Sequence, residues 1–335
     1  MPRISVLLPV RDAAATLAAC LDSLAAQTLA DHEVVAVDDG SRDGSGEILR
    51  ARARADARLR VVSTPPVGLV SALNRALTDA RAPLVARMDA DDRAARERLR
   101  LQAERLERDP VVDVLGCRVR VVGLGGPPGA GMRAYVRWQN ALLGHDDMAR
   151  DRFVESPLVH PSVAMRRAAL ERLGGWRALD GPEDYDLWLR AFAAGLRFAK
   201  LAEVLLDWSD SPGRLTRTDR RYAPDRFLAL KLEALAEGPL AGGRPAVVWG
   251  AGPTGKAWSR ALRAAGHEVR AFVEVDPRKL GGRLHGAPVV PVDAAAALHG
   301  PLHLAAVGQP GARERIRAEA ARLGLVEGAD FVAVA

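Results

Sequence analysis

Cysteine is scarce in this chain, whose 335 residues include only two, Cys20 and Cys117. Two cysteines make neither the disulfide framework of a small secreted protein nor the ligand set of a structural zinc site. No run of about 18 or more apolar residues occurs, so a membrane-spanning helix is not expected. The N-terminal segment has the pattern of a β-strand and is too short for a signal peptide. These absences predict a cytoplasmic protein.

Lysine is scarce as well, at 4 of the 48 basic residues, so arginine supplies almost all of the positive charge behind the net +6. The arginines alternate with acids along predicted helices, for example over residues 96–98 and 104–108, which is typical of a solvated helix face. Aromatic residues are few and do not alternate with the basic ones, so a nucleic-acid partner is not expected. A weak attraction to anionic lipid headgroups or phosphorylated acceptors stays open, and with it peripheral contact with the inner face of a membrane.

What the sequence does contain is a regular alternation of strand and helix patterns in its first half. Apolar strands are predicted over 4–10, 33–37, 59–63 and 84–88, with helical spacing between them. This order predicts an α/β fold with a mostly parallel sheet flanked by helices. Further along, we expect a strand or hairpin over 111–122, a Gly/Pro-rich loop over 123–131, and helices over 135–143, 168–173 and 183–194.

The length favours two domains. We place the first over residues 1–222, a helix and linker over 223–244, and a smaller α/β domain over 245–335. In that last part a strand over 246–249 leads into a glycine-rich turn, a helix ending at Ala265, and a strand over 269–275. A homodimer is also considered.

Acidic side chains follow two of the predicted parallel strands. Asp38 and Asp39 end one strand, and Asp89, Asp91 and Asp92 follow another. Since the ends of parallel strands meet at one edge of a sheet, where ligands bind in open α/β sheets, these carboxylates should converge. Clustered carboxylates repel one another unless a cation lies between them, and Mg²⁺ or Mn²⁺ prefers such oxygen ligands. The alternative is a solvated acidic turn that caps the next helix.

Several segments in order resemble the glycosyltransferases of family 2, which have the nucleotide-diphospho-sugar transferase fold called GT-A. The matching segments, which together span roughly residues 4–208, are Leu8-Pro9-Val10-Arg11-Asp12, Leu21–Thr28, Val37–Ser45, Ala86–Asp92, His160-Pro161-Ser162-Val163 and Glu183–Arg190.

The resemblance implies a metal-dependent transferase that moves a sugar, with inversion, from a nucleotide-diphospho sugar to a hydroxyl group of a glycan or lipid-linked acceptor. A UDP-sugar is the favoured donor and Mn²⁺ or Mg²⁺ the implied cofactor. Such enzymes serve glycan, polysaccharide or glycolipid biosynthesis.

The resemblance also implies roles for individual residues of the donor site. Asp39 would accept a hydrogen bond from the nucleotide base, with the backbone of Pro9 and Val10 lining the same slot. Asp38 is the weaker member of its pair, because it also fits a turn cap. Asp89, next to Ala90, would hold the ribose, and Asp91 would bind the metal together with Asp89. For Asp92, assistance to the metal and helix capping stay equally open.

Near the acceptor, Asp184 would be the general base, with Glu183 as the fallback. The alternative for Asp184 is a helix N-terminal carboxylate stabilised by the helix dipole. His160 is kept as a residue of the nucleotide-sugar site, although a positioning or core role is the more frequent one for a lone histidine.

The sequence departs from many relatives at two places. Leu73-Asn74 stands where an Arg-Asn pair is common, and no histidine follows the strand around residues 204–208. Asp210, Arg214 or Arg217 could replace the missing ligand. Arg214 and Arg217 would then clamp the donor diphosphate, the alternative being that both are surface arginines.

The C-terminal domain contains a glycine pattern of the dinucleotide-binding type, made by Gly250, Gly252 and Gly255. An acid about 20 residues later, Glu274 or Asp276, completes the pattern. This domain resembles the Rossmann-like N-terminal domain of PglD-type sugar acyltransferases. The resemblance favours a mononucleotide, nucleotide-sugar or regulatory site over NAD, with a purely packing or dimerisation role as the other reading.

Two other functions follow from these observations. The chain could be a nucleotide- or NAD-binding regulatory protein acting through the C-terminal domain. It could also be a non-catalytic scaffold, which the presence of Asp89, Asp91 and Asp184 disfavours.

Overall fold

The structure, a computed structural model, describes residues 1–335. The chain forms two compact units. The first contains Met1–Met148 and Pro157–Tyr222, and the second contains Ala149–Ser156 and Ala223–Ala335. The segment Ala149–Ser156 is therefore grouped with the C-terminal unit, although it lies far from that unit in sequence.

The first unit alternates strands and helices and then becomes irregular in its middle part. Its strands are β1 (Ile4–Val10), β2 (His32–Asp39), β3 (Leu59–Thr64), β4 (Leu84–Arg87), β5 (Arg93–Ala94), β6 (Val114–Gly123), β7 (Ala164–Arg166) and β8 (Phe198–Asp210). Its helices are α1 (Ala14–Ala25), α2 (Ser45–Ala55), α3 (Leu69–Asp79), α4 (Arg98–Arg108), α5 (Ala130–Ala141), α6 (His145–Asp151), α7 (Arg167–Arg172), α8 (Glu183–Ala193) and α9 (Leu215–Thr218).

These eight strands form one sheet in the order β3-β2-β1-β4-β7-β6-β8-β5. The first four are parallel neighbours, whereas β7 and β5 run antiparallel to the strands beside them. β6 and β8 pair in parallel over ten positions. The predicted α/β class with a mostly parallel sheet is confirmed.

Two apolar clusters pack on the opposite faces of this sheet. Alternate residues of β1 divide between them: Ile4, Val6 and Leu8 belong to one cluster, and Leu7 belongs to the other. Because successive side chains of a strand point to opposite faces, a strand covered by helices on both sides is buried along its whole length and is mostly apolar. This explains why β1 and β2 are fully buried.

The middle of the first unit shows where sequence patterns are least reliable. The predicted helix over 135–143 begins earlier, at Ala130, inside the segment expected to be a loop. Gly129 precedes this helix with extended backbone angles, so the Gly/Pro-rich part ends there. The predicted strand or hairpin over 111–122 is a single strand, β6.

The second unit is built on its own sheet, with strands β9 (Ala246–Trp249), β10 (Val269–Val273), β11 (Arg283–Leu284), β12 (Ala287–Val290), β13 (Leu302–Ala305) and β14 (Phe331–Ala333). Its helices are α10 (Pro224–Glu237), α11 (Pro253–Ala264) and α12 (Ala312–Arg322). The strand order is β11-β12-β10-β9-β13-β14, parallel except for β11. Apart from β11, this is the order of a doubly wound sheet that begins at β9.

None of the helices combines the length and the apolar character that crossing a bilayer requires.

Candidate active site

The carboxyl ends of β1, β2 and β4 meet at one edge of the first sheet. β1 pairs in parallel with both of the other strands, and the register places Val10 beside Asp38 and Leu7 beside Arg87. The chain then leaves β4 through Met88 into the acidic loop, which we define as residues 89–92. The edge therefore brings together Pro9, Val10, Asp38, Asp39 and the acidic loop, as the strand order predicted.

Asp39 and Asp38 have different surroundings at the end of β2. The buried carboxylate of Asp39 accepts hydrogen bonds from the amides of Val67 (2.6 Å) and Gly68 (3.0 Å), and Arg11 lies 3.3 Å from it. Asp38 accepts the amide of Ser41 at 3.1 Å, which is the turn-capping geometry considered for it. Of the two, Asp39 has its carboxylate at the loop leading into α3.

The acidic loop places three carboxylates side by side. One oxygen each of Asp89, Asp91 and Asp92 lies within 4.8 Å of the others. Backbone contacts fix the loop: the Cys20 thiol donates to the carbonyl of Asp89 (3.3 Å), and the Thr16 hydroxyl donates to that of Ala90 (3.1 Å).

The last residues of β8 hold the acidic loop from the other side. The Ser209 amide donates to one oxygen of Asp92 (2.7 Å), and the Ser209 hydroxyl donates to the carbonyl of Asp91 (2.5 Å). The second oxygen of Asp92 is buried and has no hydrogen-bond partner. An unpaired buried carboxylate oxygen is costly, so this atom points to a missing cation or donor.

The electrostatics of the acidic loop agree with that interpretation. Burial, followed by the charge of Asp89, raises the pKa of Asp91 to about 6. Burial and the charges of Asp89 and Asp91 also raise the pKa of Asp92. Both pKa shifts arise because several negative charges lie close together at a largely buried site. A divalent cation bound there would offset this repulsion.

Two fully buried arginines lie behind the acidic loop. Arg87, the last residue of β4, forms an ion pair with Asp89. Arg98, at the start of α4, donates to the carbonyl of Arg87 (2.8 Å) and to the amide oxygen of Gln102 (3.2 Å). Our sequence interpretation assigned no role to either of them. The sequence feature that could have identified Arg87 is a charged residue at the end of an otherwise apolar strand.

The first turn of α8 supplies the candidate base. Asp184 is half-buried, and its carboxylate accepts the amide of Tyr185 at 2.8 Å. The neighbouring Glu183 is buried and accepts a hydrogen bond from the Tyr222 hydroxyl at 2.6 Å. Burial raises the pKa of Glu183, and the Tyr222 hydrogen bond opposes that rise. Asp184 is therefore the more accessible of the two acids.

His160 lies beneath this turn. Its Nε2 accepts a hydrogen bond from the Trp176 indole (3.0 Å), and its Nδ1 is 3.8 Å from Glu183. Burial, followed by the charge of Arg87, lowers the pKa of His160 well below its usual range. The ring is thus neutral and packed between Trp176 and Trp188, as expected of a positioning residue.

The replacements proposed for the missing histidine lie at the end of β8. Asp210 is buried and pairs with Arg217 (2.7 Å), while Arg214 lies 3.7 Å away. The Arg214 guanidinium lies over the Trp208 ring at 4.1 Å, and its Nη1 atom is buried without a hydrogen-bond partner. The charge of Arg214 also acts on Asp91. Arg214 is therefore not a simple surface arginine.

Both residues of the Leu73-Asn74 pair, which stands where an Arg-Asn pair is common in relatives, have a structural role in this chain. Leu73 is part of the core, and the Asn74 side chain makes two hydrogen bonds with the backbone of Trp176, at 2.8 and 3.0 Å. Asn74 thereby fixes the segment that supports His160. Sequence reasoning also missed Tyr222, whose partner Glu183 is 39 residues away.

In the second unit, the glycine-rich turn follows β9 and opens α11. A Cβ on Gly255 would lie 1.8 Å from the carbonyl oxygen of Gly250, which has φ +100°. A Cβ on Gly252 would meet nothing within 4 Å beyond its chain neighbours, so this position faces open space. Of the two acids considered, Glu274 accepts the amide of Ala251 (3.0 Å), whereas Asp276 pairs with Arg278 (2.9 Å).

Comparison with known proteins places the first unit in a family. The family profile described as "Glycosyl transferase family 2" matches residues 5–174, just over half of the chain. Putative glycosyltransferase EpsE of Bacillus subtilis is 28% identical over 232 residues, 68% of this chain and 80% of EpsE. Amylovoran biosynthesis glycosyltransferase AmsE of Erwinia amylovora is 32% identical over 191 residues, 56% of this chain and 68% of AmsE.

Solved structures share the fold at lower identity. The structure of S. aureus TarS in complex with UDP-GlcNAc has a TM-score of 0.55 at 20% identity and covers 78% of this chain and 72% of that one. The mannosyltransferase PcManGT of Pyrobaculum calidifontis, in complex with GDP-Man and Mn²⁺, has a TM-score of 0.53 at 22% identity and covers 96% and 80%. With the GT-A fold and a family profile matched over half of its length, this chain belongs to glycosyltransferase family 2.

Proposed function

We propose that the chain is an inverting, cation-dependent glycosyltransferase that takes a sugar from a nucleotide-diphospho donor, with UDP-sugars favoured. The observation that carries the proposal is the acidic loop, with its unpartnered Asp92 oxygen, at the sheet edge that also holds Asp39. The UDP-GlcNAc bound by a relative of the same fold supports the donor class.

The acidic loop fits a hard divalent cation. Its three carboxylates supply oxygen ligands, and the raised pKa values of Asp91 and Asp92 reflect a negative charge that a cation would neutralise. Asp91 and Asp89 would hold Mn²⁺ or Mg²⁺, with Asp92 as a third candidate. When bound, such an ion neutralises charge on the leaving nucleoside diphosphate. The Mn²⁺ found with GDP-Man in PcManGT agrees with this choice.

Asp184 is the proposed general base. It would take the proton from the acceptor hydroxyl while the acceptor oxygen attacks the anomeric carbon and the bond to the diphosphate oxygen breaks on the opposite side. Attack from the opposite face inverts the configuration at that carbon. Glu183 is less suited to this role, because it is buried and already accepts the Tyr222 hydroxyl.

Arg214 and Arg217 are proposed to contact the donor diphosphate. Their shared partner Asp210 holds both guanidinium groups at the end of β8, next to the acidic loop. The Nη1 atom of Arg214 lies 3.7 Å from Asp210 but makes no hydrogen bond, so it is the proposed donor to a phosphate oxygen. Asp39, with the Pro9 and Val10 backbone, is proposed for the nucleotide base, and Asp89 with Ala90 for the ribose.

The proposed acceptor is a hydroxyl group of a glycan or a lipid-linked sugar. Its support is the relationship to AmsE, whose name assigns it to the biosynthesis of amylovoran.

Asp91→Asn tests the proposal. Turnover of a UDP-sugar, followed as release of UDP with and without Mn²⁺, should need the ion in the wild type and fall by about 100-fold or more in the variant. Asp79→Asn, which removes the partly buried partner of the half-exposed Arg75, is the matched control and should keep wild-type turnover. Undiminished Mn²⁺-dependent turnover in Asp91→Asn would contradict the metal assignment.

We also propose a nucleotide site in the second unit as the alternative function. The strand–turn–helix context, the doubly wound strand order and the open space at Gly252 support it. Glu274, more than Asp276, would be its acidic partner, because only Glu274 contacts the turn.

Calorimetry with NAD(H) and UDP-sugars tests this second site in the full chain. A valine at Gly252 would project into open space, so Gly252→Val should fold normally and block a ligand at the turn. Binding that survives in Asp91→Asn and disappears in Gly252→Val belongs to the second unit. Binding that Gly252→Val leaves unchanged contradicts the second site.

A further inference from the structure

Arg87 is a buried charge at the candidate site that the proposed roles leave unused. The exposed fraction of its side chain is only 6%, and it ends a strand whose other residues are apolar. Its partner Asp89 is much more open, with 33% of its side chain exposed. The pair thus joins a guanidinium inside the protein to a carboxylate that faces the candidate donor site.

The charge of Arg87 is maintained by acids from two directions. Burial alone would lower the pKa of Arg87, but the carboxylates of Asp89, Glu183 and Asp92 together raise it. Asp89 and Asp92 belong to the acidic loop, whereas Glu183 is in the first turn of α8, next to Asp184. The contact that places this guanidinium is its ion pair with Asp89 in the acidic loop.

Arg87 is also fixed in place by its own backbone. Its amide donates to the carbonyl of Val163 at 2.9 Å, and its carbonyl accepts the Arg98 guanidinium at 2.8 Å. Arg98 is held in turn by Gln102, whose amide donates to the carbonyls of Leu115 and Ser162. A chain of buried hydrogen bonds thus anchors the end of β4 to the core below.

Stability alone does not account for this arrangement. Burying a charged group such as the Arg87 guanidinium is costly, and an ion pair often does no more than offset that cost. The Nε atom of Arg87 is also buried without a hydrogen-bond partner, which adds to the cost. A costly charge that contacts a carboxylate of the candidate site points to a role at that site.

We propose that Arg87 is a positioning residue for sugar transfer, which holds Asp89 toward the donor and supplies a fixed positive charge behind the acidic loop. This inference rests on the proposed function. It adds a residue that touches neither the donor nor the acceptor and acts through Asp89.

The proposal makes two predictions of opposite sign for Arg87→Met. Once the Arg87 guanidinium is removed, the Asp89 carboxylate is no longer held in one orientation. The kcat/KM for the donor should therefore fall by about 100-fold. The same change removes a positive charge from behind the acidic loop, so Mn²⁺ alone should bind about threefold more tightly or better. A merely structural loss would weaken both properties.

The experiment measures donor turnover and Mn²⁺ binding by calorimetry in the full chain. Arg166→Met is the matched control, because Arg166 is also on a strand of this sheet and donates to buried backbone carbonyls, but pairs with no carboxylate of the site. It should lose stability and keep both the kcat/KM and the Mn²⁺ affinity of the folded protein.

Arg87→Lys keeps the test decisive if Arg87→Met does not fold. Lysine retains the charge but not the planar fork of arginine, so Mn²⁺ affinity should stay within about twofold while kcat/KM falls by about tenfold. Two results would overturn the proposal. The first is a kcat/KM for the Arg87 variants equal to that of Arg166→Met, and the second is a loss of Mn²⁺ affinity together with the loss of turnover. If the wild type neither binds Mn²⁺ nor transfers sugar, the proposed function itself fails, and the role of Arg87 with it.

Discussion

Both units have acidic side chains where parallel strands end, but Glu274 of the second unit and the acidic loop of the first have opposite surroundings. In the second unit, Glu274 accepts the amides of Ala251, Val275 and Asp276 and pairs with Lys279 at 2.9 Å. In the first unit, Asp92 keeps a buried oxygen without any partner. A buried acid that the fold leaves unsatisfied is stronger evidence for a ligand than one whose oxygens already have protein partners.

The pKa directions express the same difference. Hydrogen bonds from Lys279 and the nearby amides outweigh burial and lower the pKa of Glu274. Burial and like charges raise the pKa of Asp91 to about 6. Folding therefore favours the charged form of one acid and disfavours the charged form of the other.

The largest effect we expect concerns turnover alone. Asp184→Asn should lower kcat by about 1,000-fold, because amide nitrogen cannot accept the acceptor's proton, and leave donor affinity nearly unchanged. Steady-state kinetics and calorimetry with the donor measure the two quantities. Glu183→Gln is the comparison, and a kcat loss as large as that of Asp184→Asn would transfer the base role to Glu183.

The second unit can be disrupted at its turn by Gly255→Val. The added Cβ would lie 1.8 Å from the Gly250 carbonyl oxygen, so the turn must open and stability should fall by about 3–5 kcal/mol. Thermal unfolding monitored by hydrogen exchange in β9 and α11 measures this loss. Gly252→Ala, at a position with open space, should stay within about 0.5 kcal/mol of the wild type, and equal losses in both variants would contradict the packing argument.

Neutralising the first unit's acids should stabilise it. Without a cation, Asp91→Asn removes like-charge repulsion and should raise the free energy of unfolding at pH 7 by about 1 kcal/mol while it abolishes metal-dependent turnover. Denaturant unfolding in the presence of a chelator measures this gain. A loss of stability instead would show that the Asp91 carboxylate is needed for the fold.

The reverse is expected at Glu274. Its folded pKa lies below the unfolded value, so its contribution to stability is present above the unfolded pKa of about 4.5 and is lost as the pH falls through the folded value. Glu274→Gln should therefore cost about 1 kcal/mol at pH 7, and the difference from the wild type should disappear on acidification. Unfolding curves between about pH 7 and pH 3 test this, and a difference that does not change with pH would contradict it.

The sequence predicted the strands well, because β1, β2 and β9 each contain an apolar run and short turns separate them from helices. It also predicted that Asp39 and the acidic loop share one sheet edge, since parallel strands fix which ends meet. Which partner each acid has was less accessible: the hydrogen bond from Ser209 to Asp92 spans 117 positions and depends on the course of β8.

The start of α5 shows the limit of local patterns. Glycine and proline predicted a loop over 123–131, yet Ala130 and Gly131 are helical because the helix face that follows packs Val136 and Tyr135 against the core. Tertiary packing overrode local propensity there. Arg87 shows the complementary limit, because its charge is visible in the sequence but its burial is not.

The buried thiol of Cys20 offers a way to follow the acidic loop in solution, because it contacts the backbone of that loop. Burial, followed by the charges of Asp92, Asp89 and Asp91, raises the pKa of Cys20 well above its ordinary value, which disfavours the reactive thiolate form. The other thiol, Cys117, is buried in β6. We therefore expect alkylation of Cys20 to be slow while its thiol stays buried against the carbonyl of Asp89, so that its rate would report how often the candidate donor site opens.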